Sequence, residues 1–246
     1  MTENDTLRRF MFDRAPLRGE HAHLDETWRA VLARRDYPPL LRGLLGELMA
    51  AAALLSSTIK FDGALVIQMH GDAGIKLLVV ECTSDMSMRA TAHWAGELRA
   101  GPLPGLLGRG RCAITISRGD GKQNYQGIVE LRGDTIAQVL ENYMARSEQL
   151  VTRLWLAADE QKASGLLLQL LPEQHINYSP DWDNAVGRAA TLSREELLAL
   201  PTHRIIQLLY HEHDVRLFSP KPCVFQCTCT RQRVADMLRM LGQKEV

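Results

Sequence analysis

Pro38-Pro39-Leu40-Leu41-Arg42-Gly43-Leu44-Leu45-Gly46-Glu47-Leu48-Met49-Ala50-Ala51-Ala52-Ala53-Leu54-Leu55-Ser56-Ser57-Thr58 is the stretch on which the fold turns. Leu41, Leu44, Leu45, Leu48 and Leu55 recur at helical spacing, and Ala50 to Ala53 fill the gaps with small apolar surface. A helix with so little polar surface has to be buried, and its small residues let neighbours approach closely. Its longest apolar run, Leu48 to Leu55, lies between Glu47 and Ser56 and is far shorter than the ~20 residues a bilayer requires. The expectation is a core helix with other elements packed around it.

Working outward, Leu24 to Arg35 reads as a preceding helix, cut off by the Tyr37-Pro38-Pro39 break. On the other side, Ala64 to His70 and Ile75 to Cys82 read as strands joined by the turn Gly71-Asp72-Ala73-Gly74. Ser87 to His93 extends that meander. Gly101-Pro102-Leu103-Pro104-Gly105 reads as a loop without regular structure. Cys112 to Ser117 and Gln123 to Leu131 form a second hairpin around Arg118-Gly119-Asp120-Gly121, and Asp134 is placed to cap a helix that runs to Arg146. Val151 to Ala157 and Leu166 to Leu171 are two further strands. The fold class is α+β, with antiparallel strands and packed helices forming a core domain over residues 1–178.

After Tyr178-Ser179-Pro180 the pattern changes to short helices in succession: Asp181 to Ala190, Ser193 to Leu200 and Thr202 to Tyr210. Ser193 and Glu196 make a capping box, and Pro201 separates two of the helices. Leu197, Leu198, Ile205, Ile206, Leu208 and Leu209 provide more apolar surface than three small helices can bury among themselves. This helical linker, residues 179–219, is therefore expected to lie on the core domain across an interface that can detach.

The 246 residues carry 29 Lys+Arg against 29 Asp+Glu, a balance that gives no net attraction for nucleic acid or an anionic membrane. Hydrophobic residues at 46% and charged residues at 24% fit an ordinary globular protein. The N-terminus lacks a secretory signal pattern. Five cysteines, three of them between Cys223 and Cys229, do not suggest a secreted disulfide framework. The expected location is the reducing cytoplasm, where clustered thiols indicate metal or redox chemistry.

Most local motifs have an ordinary structural reading. Ser57-Thr58-Ile59-Lys60 matches the S-x-x-K of serine acyl-transferases but lacks that class's companion elements, and reads as a helix end. Gly119-Asp120-Gly121-Lys122 lacks the flanking residues of a phosphate-binding loop, and no dinucleotide fingerprint follows a strand. His211-Glu212-His213 fits a solvated turn, and Cys82 and Cys112 fit buried strand positions.

Cys227-Thr228-Cys229 carries the informative chemistry. Joint use of two cysteines one residue apart requires a local turn, and a disulfide between them closes a small, reducible ring. Thr230 can cap a following helix whose apolar face is Val234, Met237, Leu238 and Leu241, with Arg231 and Arg233 beside the thiols. A helix N-terminus and nearby cations both favour the thiolate, the form that binds zinc and reacts with oxidants.

Arg18-Gly19-Glu20, Leu54 to Gly63, Tyr125 to Val129, Tyr143 to Leu150 with Thr152-Arg153, Gly165 to Gln169 and Phe225 to Cys229 together resemble the redox-regulated 33-kilodalton heat-shock chaperones, the bacterial 33 kDa chaperonins. The resemblance implies a non-enzymatic, ATP-independent holdase that binds unfolding proteins and prevents their aggregation under oxidative or heat stress. It implies a C-terminal module, here residues 220–246, in which Cys227 and Cys229 are both a redox-active pair and half of a four-cysteine zinc site. It further implies unfolded clients, a homodimer open to domain swapping, and downstream ATP-dependent foldases as partners, with no nucleic acid or membrane. Leu197, Leu198, Ile205, Ile206, Leu208 and Leu209 are the candidate client-binding residues.

The likeness is incomplete at the C-terminus. The family's second pair, a C-x-x-C, follows the first by about thirty residues, whereas this sequence ends at Val246. The expectation is a shortened chain with no zinc bound and weakened redox dependence, biased toward the active form. The competing expectation is a zinc-dependent hydrolase using Cys223, Cys227 and Cys229 with His211 or His213. A zinc-ribbon nucleic-acid module is disfavoured by the neutral charge and missing ligands.

Overall fold

In a computed structural model the described residues are 4–58, 62–118, 124–172 and 180–227. Glu26–Leu32 (α1) and Pro39–Thr58 (α2) are the two helices expected around the Tyr37-Pro38-Pro39 break. By length and composition α2 is apolar enough to cross a membrane, more so than the Leu48 to Leu55 run suggests. Its setting explains that composition, because α2 is enclosed between two sheets.

The first sheet contains Thr6–Phe12 (β1), Leu17–Leu24 (β2), Thr152–Ala158 (β8), Ala163–Leu170 (β9), Val215–Leu217 (β10) and Lys221–Pro222 (β11). Its order is β10-β1-β2-β9-β8, with β11 also pairing with β1. The second contains Gly63–His70 (β3), Ile75–Thr83 (β4), Ser87–Trp94 (β5), Arg111–Arg118 (β6), Tyr125–Glu130 (β7) and Val224–Phe225 (β12), in the order β12-β5-β4-β3-β6-β7. Neighbours are antiparallel except β12, which runs parallel to β5. One face of α2 packs on β2, β8 and β9, and the other on β3, β4 and β5.

The main core fills these three layers, with Leu41, Leu45, Leu48, Leu54 and Ala51 to Ala53 from α2 meeting Leu65, Ile67, Val80 and Leu167. Such close layering requires small residues at the contacts. A Cβ on Gly46 would stand 2.5 Å from the Ala158 Cβ, so only glycine lets β8 approach α2 there. Cys82 and Cys112 are buried as expected, and burial pushes both thiols up to about 12. They behave as small apolar side chains.

Several local expectations need correction. Leu103–Leu107 is a short helix (α3) inside the segment read as a loop; Pro102 precedes it and Pro104 lies in its first turn, where a missing N–H has little consequence. In Ile136–Tyr143 (α4) the cap is Thr135, whose hydroxyl accepts from Gln138 N, while Asp134 N donates to Gln138 Oε1. The α-helix does not reach Arg146. It gives way to a π-turn over Met144–Glu148, which Gln149 ends in the left-handed region. Pro180–Ala189 (α5), Arg194–Ala199 (α6) and Thr202–Tyr210 (α7) form as expected, including the Ser193/Glu196 capping box.

A polar group joins the C-terminal end of α2 to the first sheet. Arg18 Nε donates to Gln169 Oε1 (2.9 Å), and Arg18 also donates to the Thr58 carbonyl. Gln169 Nε2 donates to Thr152 Oγ1 (2.8 Å), and the Ser57 hydroxyl donates to Glu20 Oε1 (3.1 Å). Burial raises the Glu20 carboxyl to about 8, against the opposing pull of Arg18 and the Ser57 hydrogen bond.

The folded protein therefore holds this proton more tightly than the unfolded chain does. The resulting stability is fully present below the ordinary carboxylate range and is lost as pH rises through the folded value. Glu20→Gln is expected to flatten the fall in Tm between about pH 5 and about pH 8.5. Thermal unfolding across that range, with wild type alongside, checks it; an unchanged slope counts against a protonated Glu20.

Candidate functional site

The face of the first sheet turned away from α2 carries its own apolar cluster. Phe10, Phe12, Leu17, Leu166 and Leu168 project from it, and α5, α6 and α7 close over them with Ala185, Ala189, Leu192, Leu197, Leu198, Ile205, Leu209 and Tyr210. Leu197, Leu198, Ile205 and Leu209 are buried here, Ile206 packs at the margin, and Leu208 points to solvent at 48% exposure. Five of the six candidate client-binding residues thus contribute to this cover, while Leu208 is on its outer side.

The three helices are 10, 6 and 9 residues long. Helices this short are marginal in isolation, so their order depends on the sheet beneath. Specific contacts set their register. Phe12 meets Tyr210 edge-on with ring centroids 5.0 Å apart, and the Tyr210 hydroxyl donates to Ala185 O. Arg194 donates to Ala158 O, and Arg188 pairs with Glu212.

His21, only 1% exposed, ties the sheet to α7. The Ser164 hydroxyl gives its proton to Ala22 O, so His21 Nε2–H donates to Ser164 Oγ (3.1 Å) and the Thr202 hydroxyl donates to His21 Nδ1 (2.9 Å). Gly19 lies on the same face of β2, where a Cβ would fall 2.0 Å from the Phe10 ring. Phe10, Phe12, His21 and Tyr210 were not singled out from sequence. The alternation of Phe10 with Phe12 was the available signal for β1.

Beyond α7 the chain binds the edges of both sheets. β10 pairs Phe10 with Leu217, and β11 pairs Thr6 with Pro222. Cys223 N donates to Asp5 O, Thr27 Oγ1 donates to Cys223 O, and β12 then joins β5. Cys223 is 2% exposed in the main core, where burial pushes its thiol well above the ordinary range. Cys227 is exposed at a cavity of about 500 Å³ that Arg34, Arg35, Arg89 and Glu81 help to line. The Arg34 guanidinium lies over the Phe225 ring at 5.2 Å. Cys229, Thr230, Arg231, Arg233 and the helix expected after them lie outside the described residues, as do Lys60 and Gly119 to Lys122.

Among the described residues the hydrolase alternative finds no assembled metal site. His211 is exposed, whereas the His213 ring packs edge-on against Phe12 and Tyr210 on the covered face of the first sheet. Cys223 belongs to the other core, beneath α1. Among the described residues no three His, Cys, Asp or Glu side chains converge as metal ligands. Cys227 shares its cavity with Arg34, Arg35 and Arg89 and a single carboxylate, Glu81, so the described residues do not by themselves fit a zinc ion.

The chain has counterparts among known proteins. The family model described as Hsp33 protein matches residues 5–246. The chain belongs to the Hsp33 family. It is 49% identical over 248 residues to the 33 kDa chaperonin of Chromobacterium violaceum, covering 100% of this chain and 84% of that one. It is 48% identical to the 33 kDa chaperonin of Methylobacillus flagellatus, covering 100% of this chain and 85% of the relative.

The crystal structure of the Thermotoga maritima 33 kDa chaperonin superposes with a TM-score of 0.81 at 20% identity, over 98% of this chain and 87% of that one. That likeness concerns the fold. With the family established, the protein is a chaperone of the redox-regulated Hsp33 type, and the hydrolase reading has no support.

Proposed function

We propose that this Hsp33 protein acts without ATP or catalysis as a holdase, and that its client surface is the face of the first sheet beneath α5–α7. The observation carrying this reading is the second apolar cluster, which is separate from the main core and covered by three short helices. Lifting the cover presents Phe10, Phe12, Leu17, Leu166 and Leu168 on a sheet that α2 still supports from behind. Contiguous apolar surface of this kind captures unfolding chains.

Residues 1–178, 179–219 and 220–246 are the proposed core, linker and redox segments. Cys227 and Cys229 are the proposed redox pair and half of a four-thiolate zinc site. The chain from α7 to Cys227 runs through β10, β11 and β12, which supports a mechanical link between the cover and that pair. A cytoplasmic location, a homodimer and hand-over of clients to ATP-dependent foldases complete the proposal.

The test is light scattering from a heat-unfolding client without nucleotide, with reductant or with peroxide. Suppression at near-stoichiometric chaperone in at least one condition is expected. Failure in both would falsify the holdase reading for this chain.

A further inference from the structure

The two sheets treat their free edges differently. In the first sheet β8 is guarded: its Leu154 N donates to Glu141 Oε1 of α4 (2.8 Å), and Arg194 of α6 donates to Ala158 O. β10, β11 and β12 are edge segments of only two or three residues. Side-chain plugs and brevity both keep a sheet edge from pairing with another chain. β7, the remaining edge, has neither. It runs over six residues, Tyr125–Glu130, without proline, lysine or a bulge.

The phase of the ladder fixes which groups are free. Leu131 N donates to Gly110 O, and hydrogen-bonded pairs alternate along antiparallel strands. Tyr125, Gly127 and Val129 therefore bond β6, whereas Gln126, Ile128 and Glu130 turn their N–H and C=O outward. No described strand or main-chain group pairs with them. The strand is braced from behind. Val129 packs on the main core, and a Cβ at Gly127 would fall 2.1 Å from the Tyr143 hydroxyl of α4. The Tyr125 hydroxyl donates to Glu148 Oε1 in the π-turn (3.2 Å). Ile128, on the opposite face, is 53% exposed. A fixed strand thus presents an apolar side chain beside a row of unpaired main-chain groups.

We propose that β7 is a dimerisation edge, pairing antiparallel with β7 of a second copy about a two-fold axis at Ile128. The strand is self-complementary in that register. Ile128 lies beside its own copy and Gln126 beside Glu130 of the partner subunit, so no like charges are opposed. Each such pair exchanges both N–H···O bonds. The two-fold uses up both edges and closes the assembly, whereas an open edge would go on recruiting chains. This gives an interface to the homodimer proposed above and rests on that reading. Six residues a side is small beside the ~20–30 of a standard interface, so a dissociation constant on the order of 10 µM is expected.

Sedimentation equilibrium of the intact, reduced chain from about 1 to about 200 µM tests this. A reversible monomer–dimer equilibrium is expected. Ile128→Lys, at an exposed position, should weaken it about tenfold. Gln126→Glu sets carboxylates opposite each other and should weaken it about fivefold. Adding Glu130→Gln should restore it, because the two changes exchange partners within one register; damage to the fold would not be repaired in this way. A dimer indifferent to Ile128→Lys, or a Gln126→Glu loss that Glu130→Gln does not repair, overturns this interface while leaving the homodimer standing. A monomer throughout overturns both. Protection of the Ile128 amide from hydrogen exchange by a reduced, alkylated polypeptide, in a solution of monomers, would assign the edge to clients and also overturns the proposal.

Discussion

Ile205→Asp is expected to turn the reduced protein into a constitutively active chaperone. Ile205, on the inner side of α7, is fully buried in the same apolar cluster as Phe10, Leu166 and Leu168 of the first sheet. Placing a carboxylate there removes an apolar side chain and buries a charge among apolar neighbours, a combination costing about 3–5 kcal/mol. Helices of 10, 6 and 9 residues have little intrinsic stability to set against that cost. The cover should detach while α2 and the main core, on the opposite side of the sheet, stay folded.

Four readouts follow for the reduced variant: suppression of client aggregation without oxidant, binding of an apolar dye, loss of helical signal, and protease cleavage confined to residues 180–210. Leu208→Asp is the control, since Leu208 is 48% exposed on the outer side of the same helix, and it should change none of them. A variant whose cover becomes protease-sensitive but which still fails to protect a client would show that the client surface lies elsewhere.

The parts of this arrangement legible in the sequence are those written in hydrophobic periodicity. α2 could be read because apolar residues cover it on nearly every side, and the β3–β4–β5 meander because its strands alternate around turn residues. The linker helices could be read from the capping box and their surplus leucines. β2 could not. Its sequence, Leu17-Arg18-Gly19-Glu20-His21-Ala22-His23-Leu24, looks like a solvated segment, yet Gly19 to Leu24 are all buried.

Partners distant in sequence hold two of those polar groups: Ser57 hydrogen-bonds Glu20, and Ser164 and Thr202 hydrogen-bond His21, while His23 pairs with its near neighbour Asp25. A hydropathy pattern records only near neighbours, so a strand buried through distant hydrogen bonds escapes it. β10, β11 and β12 escape it for another reason: segments of two or three residues carry no period, and the edges they pair with define them. The same limit applied to the cysteines. Spacing grouped Cys223 with Cys227, but strand pairing buries the first and leaves the second at the surface.

Trp28→Ala should have the opposite character to opening the cover, because Trp28 holds the layers themselves together. Its ring is fully buried in the main core beside Gly46 of α2, and its Nε1 donates to Asp159 O (2.8 Å) in the turn between β8 and β9. One side chain thus joins α1, α2 and the first sheet at the point where glycine permits their closest approach. Truncation removes a large aromatic from a site that cannot collapse, since Ala158 already limits any further approach of the backbones; the expected cost is about 3–5 kcal/mol. That is a large share of the ~5–15 kcal/mol by which a typical domain is stable. Denaturant unfolding should show one cooperative transition moved to lower concentration, with near-UV and far-UV signals lost together. Reduced Trp28→Ala should gain no protection of clients before it unfolds, and beyond that point it should aggregate itself. Trp28→Phe keeps most of the volume and gives up the Asp159 hydrogen bond, so it should cost only about 1–2 kcal/mol. If Trp28→Ala instead activates the chaperone at full global stability, the boundary drawn between the detachable cover and the permanent core is in the wrong place.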